Sequence, residues 1–219
     1  MPLNPRLRKF NYRGTIEALQ RILSPLLRYN SNSPPSLTHL VISFEIQFKW
    51  PPLPIVNIGV FVAFLQCLEQ TLELLSLRIP EQLTSILLNL PHFPRLEHLD
   101  IRLGQVTPEA GVAFISFVST HREYLKTLTL SLCSIQIYQN LCDISFPSLH
   151  TLVLDPQEFV MLTHAFPHVP HLQRFVSGGC HYPSKATTMK IRERASPSRP
   201  TIVYGGDPFR VDLDAHLRR

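Results

Sequence analysis

The 219-residue sequence has little charge, little glycine and few cysteines. Charged residues make up 17% of the chain, against about 25% in an average domain, while 44% of the residues are hydrophobic, which excludes a fully disordered protein. The eight glycines exclude a collagen-like or glycine-rich chain. The four cysteines contain no C-x-x-C pair and form no disulfide framework, so we expect reduced thiols and an intracellular protein, cytoplasmic or nuclear.

Signals for secretion or membrane insertion are also missing. The N-terminal residues lack the apolar core of a signal peptide. One apolar run, residues 53–68, has 16 residues and is interrupted by Pro54, Asn57 and Gln66, whereas a bilayer-spanning helix needs about 20 apolar residues. The run therefore predicts a buried helix.

Motifs of the common enzyme classes are absent, including the P-loop, the dinucleotide-binding G-x-G-x-x-G, the nucleophile elbow and the H-E-x-x-H zinc motif. One group of residues has the side-chain types of a zinc site: His164, His168, His171, Cys180 and His181. Its spacing matches no four-ligand zinc pattern, and two prolines interrupt it. We therefore predict a non-enzymatic protein with no metal, no other cofactor and no small-molecule substrate.

Positive charge is concentrated at the two ends of the chain. The net charge is +5, made up of +5 in residues 1–28, −4 in residues 29–182 and +4 in residues 183–219. Nucleic-acid binding requires a basic stripe on the folded body. The charge distribution favours solvated basic ends over nucleic-acid or membrane-surface binding.

The main positive signal is a repeated Leu-x-x-Leu-x-Leu pattern. Clear copies begin at Leu37, Leu72, Leu96, Leu125 and Leu149, and weaker copies begin at Leu7 and Leu172. A constant offset of 53 residues relates four pairs: Leu72 and Leu125, Leu96 and Leu149, Phe61 and Phe114, Phe93 and Phe146. The offset indicates a duplicated double unit of 24 plus 29 residues.

The spacing predicts strands that alternate with helices or irregular turns. The last two apolar positions of each clear copy, occupied by leucine or by leucine and isoleucine, lie on one face of a strand. Helical patterns cover residues 15–28, bent or ended near Pro25, and residues 81–90; a third begins at Thr107 as N-cap and runs to about His121, and a capping-box-like start occurs at Asp155. One unit cannot bury its own apolar face, so neighbouring units must stack into a parallel sheet with helices on the other side.

These segments resemble leucine-rich repeats, whose pattern is L-x-x-L-x-L-x-x-N/C-x-L. The copy LKTLTLSLC places Cys133 at the ladder position, and residues 90–99 and 117–130 resemble the repeat region of fungal F-box/leucine-rich-repeat proteins. The resemblance implies an α/β solenoid of six to seven irregular repeats over residues 1–182, with a parallel sheet on the concave side and helices or irregular turns on the convex side. Residues 183–219 then form a basic tail, in which Thr201–Tyr204 could be a last strand that partly caps the solenoid.

The resemblance also implies non-catalytic recognition of a protein partner, in the manner of a substrate receptor of a ubiquitin ligase. No F-box precedes the repeats, so we expect a repeat region without that adaptor-binding module, and the partner stays unidentified. Three alternatives remain open. The chain could regulate or inhibit an enzyme, bind nucleic acid or a membrane surface through its basic ends, or be a truncated product that binds nothing.

Strand parity predicts which side chains face a partner, because residues between the leucines point away from the core. The candidate binding residues are His39, Arg78, His98, Asp100, Arg102, Thr129, Ser131, Asp155 and Arg174. One column across successive strands contains Arg13, Ser43, Arg78, Arg102, Ser131 and Asp155. At its centre we expect Arg78, Asp100 and Arg102 to present forked donors and an acceptor to a partner. The alternative is a set of solvated side chains that form cross-strand pairs.

Overall fold

A computed structural model describes residues 7–29, 36–45, 58–104, 106–131, 135–154, 168–177, 189, 191–193, 195 and 200–204. Its strands form one open parallel sheet of eight strands, in which the spatial order is the chain order. The strands are β1 (Lys9–Gly14), β2 (His39–Phe44), β3 (Leu74–Ile79), β4 (His98–Leu103), β5 (Thr127–Ser131), β6 (Thr151–Leu154), β7 (Arg174–Ser177) and β8 (Thr201–Tyr204). All seven predicted repeat strands are confirmed, and the sheet continues past residue 182 into β8.

Helical segments connect the strands, and their bounds test the predicted helices. The segments are α1 (Ile16–Tyr29), α2 (Gly59–Cys67), a 3₁₀ helix (Glu81–Asn89), α3 (Pro108–His121) and α4 (Ile135–Cys142). The predicted start of α3 is confirmed, since the Thr107 hydroxyl accepts a hydrogen bond from the Ala110 N–H at 3.3 Å. The predicted helix at Asp155 lies outside the described residues, and α4 was not predicted.

Two predicted helical segments are present and differ in detail from the expectation. The helix predicted over residues 15–28 is α1, which does not end at Pro25 but continues to Tyr29, and Leu27 in its last turns packs against the core. Residues 81–89 form a 3₁₀ helix, in which Leu83 and Ile86 are buried three residues apart. A three-residue spacing of buried side chains matches the three residues per turn of a 3₁₀ helix.

The apolar run 53–68 forms a helix with one buried face where the structure describes it. Residues 53–57 lie outside the described ranges, and residues 59–67 form α2, which buries Phe61, Phe64 and Leu65. In the described part of the chain, no helix combines the length and the apolar character that a bilayer crossing requires.

The core lies between the sheet and the helices. Each of the six described repeats after the first buries its leading leucine almost completely: Leu37, Leu72, Leu96, Leu125, Leu149 and Leu172. The phenylalanines related by the 53-residue offset are buried with them: Phe61, Phe93, Phe114 and Phe146. The duplicated sequence register therefore corresponds to a repeated packing arrangement.

In each of the first six repeats, one backbone carbonyl fixes the position of the next strand. This carbonyl belongs to the residue after the leading leucine, and it accepts two N–H groups of the following strand at 2.8–3.1 Å. The accepting residues are Arg8, Thr38, Glu73, Glu97, Lys126 and His150. In the seventh repeat the carbonyl of Gln173 accepts one N–H, that of Thr201, at 2.7 Å, because Pro200 has no N–H. The bonds fix where each strand begins relative to its neighbour, so the strands pair in register from β1 to β8.

His121 at the end of α3 is a buried imidazole with two backbone partners. Its Nε2 accepts the Phe93 N–H at 2.9 Å, so Nδ1 bears the proton and donates to the Phe117 carbonyl at 2.7 Å. The centroid of its ring also lies 4.9 Å from the ring centroid of His92. Burial lowers the pKa of His121, the nearby His92 adds to this effect, and the hydrogen bond to Phe117 opposes it.

Truncation of a strand leucine should show how strongly the core depends on the repeat pattern. We expect Leu128→Ala to lower the free energy of unfolding by about 2–5 kcal/mol, because Leu128 is fully buried and leaves a cavity. Leu88→Ala is the matched control, since Leu88 is 53% exposed and its truncation should change stability by less than about 0.5 kcal/mol. Chemical denaturation measures both, and equal losses would contradict the assigned core.

His121 should make stability depend on pH. As pH falls below about 6.5, the unfolded chain binds a proton that the folded imidazole resists, so stability should fall by up to about 1.4 kcal/mol per pH unit. His121→Gln should remove this slope down to the lowered pKa of the folded state. The control is His171→Gln, which removes an exposed imidazole and should retain the wild-type slope. Identical pH profiles for His121→Gln and wild type in denaturant titrations would refute the assignment.

Candidate functional site

The sheet has a second face, opposite the core leucines, which we call the polar face. Strand pairing arranges its side chains in rows that run across the strands. The first row contains Lys9, His39, Leu74, His98, Thr127, Thr151, Arg174 and Thr201. The middle row contains Asn11, Val41, Ser76, Asp100, Thr129, Val153, Val176 and Val203.

A third row, which we call the arginine row, is the predicted column. It contains Arg13, Ser43, Arg78, Arg102 and Ser131, each aligned with the next on neighbouring strands β1 to β5. The predicted order is therefore confirmed for these five residues. Asp155, the sixth predicted member, lies outside the described residues.

The predicted exposure of this face is correct for some candidates and wrong for others. Arg78 is exposed, and five candidates are partly exposed: His39, His98, Arg102, Ser131 and Arg174. Asp100 and Thr129 are buried, with 8% and 6% of their surface exposed, and so are the other parity positions Ser76, Thr127, Val153 and Val176. Short side chains on strands about 4.8 Å apart cover one another in register, whereas long arginine side chains extend past them.

Asp100 is the centre of a buried polar cluster on this face. The Ser76 hydroxyl donates to Oδ2 of Asp100 at 2.8 Å, and Nε of Arg102 lies 3.6 Å from Oδ1. The second distance is that of an ion pair and is too long for a hydrogen bond. Burial raises the pKa of the Asp100 carboxyl, while the Arg102 charge and the Ser76 hydrogen bond act in the opposite direction.

The expected acceptor of the candidate patch is therefore not presented to a partner. The Asp100 carboxyl group contacts Ser76 and Arg102 within the sheet. The prediction that Asp100 offers an accessible acceptor to a partner is therefore wrong, because the residue is buried. Arg78 forms no ion pair or hydrogen bond with any described residue. The side chain of Arg102 is 30% exposed beside it.

At the first strand, the arginine row ends in an exposed ion pair. Nε of Arg13 lies 3.0 Å from Oε1 of Glu45, which directly follows β2. Both side chains are more than half exposed, so the pair contributes little to stability. It does hold the Arg13 guanidinium beside the start of the row.

Sequence reasoning missed two features of the polar face. It did not pair Ser76 with Asp100, although both follow the second leucine of neighbouring repeats and face each other once the strands align. It also did not mark Leu74 as an apolar residue of this face. Leu74, Val153 and Val176 are buried but do not belong to the hydrophobic core cluster, so the polar face has apolar members.

The group of histidines and one cysteine considered above as a metal site is largely outside the described residues. Of its members the structure describes His168 and His171, both exposed. Within the described ranges, no three or more His, Cys, Asp or Glu side chains lie together as metal ligands would.

Comparisons with protein-family models, curated proteins and solved structures found no match to this chain. The arrangement of the polar face is therefore the basis on which a function can be argued.

Asp100→Asn should stabilise the protein at neutral pH. The fold holds the Asp100 proton more tightly than the unfolded chain does, so stability falls as pH rises above about 3.8 through the raised pKa. The neutral amide of Asn removes this loss of stability. The difference in free energy of unfolding between the variant and the wild type should therefore increase over that pH range and stay constant above it. Chemical denaturation from acid to neutral pH measures it.

Ser76→Ala is the complementary variant, because it removes the hydroxyl donor but leaves the carboxyl group. It should destabilise the protein at neutral pH by about 1.5–3 kcal/mol, the range for hydrogen bonds to charged groups. An Asp100→Asn variant that is less stable than wild type at pH 7 would contradict the role of burial at this site.

Proposed function

We propose that this chain is a non-catalytic protein-recognition module, a leucine-rich-repeat solenoid whose polar face binds a partner protein. The observation behind the proposal is the polar face itself, where eight strands each contribute side chains to rows that cross the whole sheet. Repeat proteins offer extended surfaces of this kind to their partners.

Two properties of the polar face suit protein recognition. Guanidinium, imidazole and hydroxyl groups lie beside apolar side chains such as Leu74 and Val41. A surface of mixed charge, hydrogen-bonding and apolar groups matches the composition of protein interfaces. The side chains are anchored on paired strands, so little conformational entropy is lost when a partner binds.

The repeat pattern supports the leucine-rich-repeat part of the proposal. The leading leucine and the two apolar strand residues of each clear copy, leucine or isoleucine, lie in one core, and the connecting segments cover that core. This is the packing that the L-x-x-L-x-L pattern of leucine-rich repeats requires.

We further propose a role like that of a ubiquitin-ligase substrate receptor, in which the polar face selects the protein to be modified. The support is the similarity of residues 90–99 and 117–130 to fungal F-box/leucine-rich-repeat proteins. Phe93 and Phe117 of these segments are buried in edge-to-face contact, with ring centroids 6.2 Å apart.

A bulky residue on the polar face should block the partner without unfolding the protein. Partners are first captured from a cell lysate with a photo-crosslinking residue at position 45, which directly follows β2 and is exposed, and are then identified by mass spectrometry and purified. We then expect Ser43→Trp to weaken the purified partner's binding by about tenfold or more, because the indole covers the position beside Arg78 in the arginine row. Calorimetric titration measures the affinity.

The matched control is Ser85→Trp, which adds the same bulk to an exposed position of the 3₁₀ helix on the opposite side of the core. Circular dichroism first establishes that both variants fold. A partner that binds Ser43→Trp as tightly as Ser85→Trp would refute the proposed recognition face. Ligase subunits among the captured proteins would favour the substrate-receptor role, and their absence would count against it.

A further inference from the structure

The arginine row places two arginines at aligned positions of neighbouring strands. At Arg78 and Arg102 the backbones are about 4.8 Å apart. Like charges in directly opposed positions destabilise a sheet. Among the described residues of the polar-face strands, the carboxyl group is that of Asp100, which is buried and contacts Arg102 from within the sheet. An anion bound from outside would relieve the repulsion that remains.

Charge is distributed unevenly between this face and the rest of the molecule. Residues 29–182 contain seven Lys or Arg and eleven Asp or Glu, so this part of the chain is acidic. Within these residues, the described strands of the polar face nevertheless contribute three basic residues and one acidic residue, Asp100. The basic residues are Arg78, Arg102 and Arg174. Strand β1 adds Lys9 and Arg13, of which Arg13 is paired with Glu45. Strand pairing thus brings onto one face basic residues that are far apart in the sequence.

The surroundings of the arginines favour a peptide over a nucleic acid. No Phe, Tyr or Trp occupies a polar-face position in the described strands, so the aromatic platforms that stack nucleobases are missing there. Ser43 and Ser131 flank the two arginines with hydroxyl groups, and Val41 adds an apolar contact in the next row. Guanidinium groups bind carboxylates through two parallel hydrogen bonds.

We infer that the polar face binds an extended acidic segment of the partner protein, with carboxylates held by Arg78 and Arg102. The inference rests on the proposed function and adds the chemistry of the partner. The arginine row crosses five strands and is about 19 Å wide at the usual strand spacing. A short extended peptide covers that distance, with alternate side chains directed at the sheet.

Fluorescence anisotropy with defined probes tests the inference. The probe is a fluorescein-labelled peptide of about eight residues in which Glu and Thr alternate, which places every carboxylate on one side. Its control peptide has Gln in place of Glu, and a thymidine oligonucleotide of equal length supplies phosphates instead of carboxylates. We expect the Glu peptide to bind about tenfold more tightly than the Gln peptide, and binding to weaken as salt is raised.

Substitutions in the protein assign the binding to the arginine row. Arg78→Gln should weaken binding of the Glu peptide by about tenfold. Arg78→Lys should restore part of this affinity, because lysine supplies the positive charge but not the two parallel hydrogen bonds of a guanidinium group. Arg78 is exposed, so neither change endangers folding. The matched control is Arg122→Gln, which removes one exposed arginine after α3 and should alter affinity by less than about twofold.

Three results would overturn the inference: equal binding of the Glu and Gln peptides, equal effects of Arg78→Gln and Arg122→Gln, or tighter Arg78-dependent binding of the oligonucleotide. If any of these occurs while Ser43→Trp still blocks the partner, the recognition face stands and its preference for acidic segments is wrong. If the purified partner binds Ser43→Trp as tightly as the wild type, both the proposed recognition face and this inference are wrong.

Discussion

The carbonyl group that follows the leading leucine of each repeat is the acceptor on which the rest of the structure depends. It receives two N–H groups from the next strand in the first six repeats and one in the seventh, and so sets the starting point of each following strand relative to its neighbour. A slip of one residue would exchange the two faces of a strand, burying arginines and exposing leucines. The same backbone contact therefore determines both the continuous leucine core and the alignment of the arginine row.

Much of the fold could be predicted because its signals are local or repeat at a fixed distance. The Leu-x-x-Leu-x-Leu spacing located the strands, the 53-residue offset located the buried phenylalanines, and Thr107 with Pro108 located the start of α3. The details that were not predicted depend on packing between units. Helix α1 does not end at Pro25, and Leu27 beyond it packs against the core. Residues 81–89 form a 3₁₀ helix, in which buried side chains recur every three residues, and helix α4 had no signal in the repeat pattern.

The candidate site could be predicted in its order but not in its environment. Strand parity placed Arg78, Arg102 and Ser131 in one row, because alternation along a strand is a property of the backbone. The burial of Asp100 is not such a property. It depends on Ser76, which is 24 residues away in the chain and adjacent across the sheet, and on the guanidinium of Arg102. Exposure within a sheet is decided by the side chains of neighbouring strands, which no single segment specifies.

The arrangement of rows has a consequence for how such a surface can change over evolutionary time. Each position in a row comes from a different repeat, and the strands follow one another in chain order. A substitution in one repeat therefore replaces one side chain of a row and changes the surroundings of its neighbours on the two adjacent strands, while more distant strands keep their side chains in place. Selection can adjust the surface combinatorially, one repeat at a time, while the buried leucines and the backbone ladder keep the architecture constant.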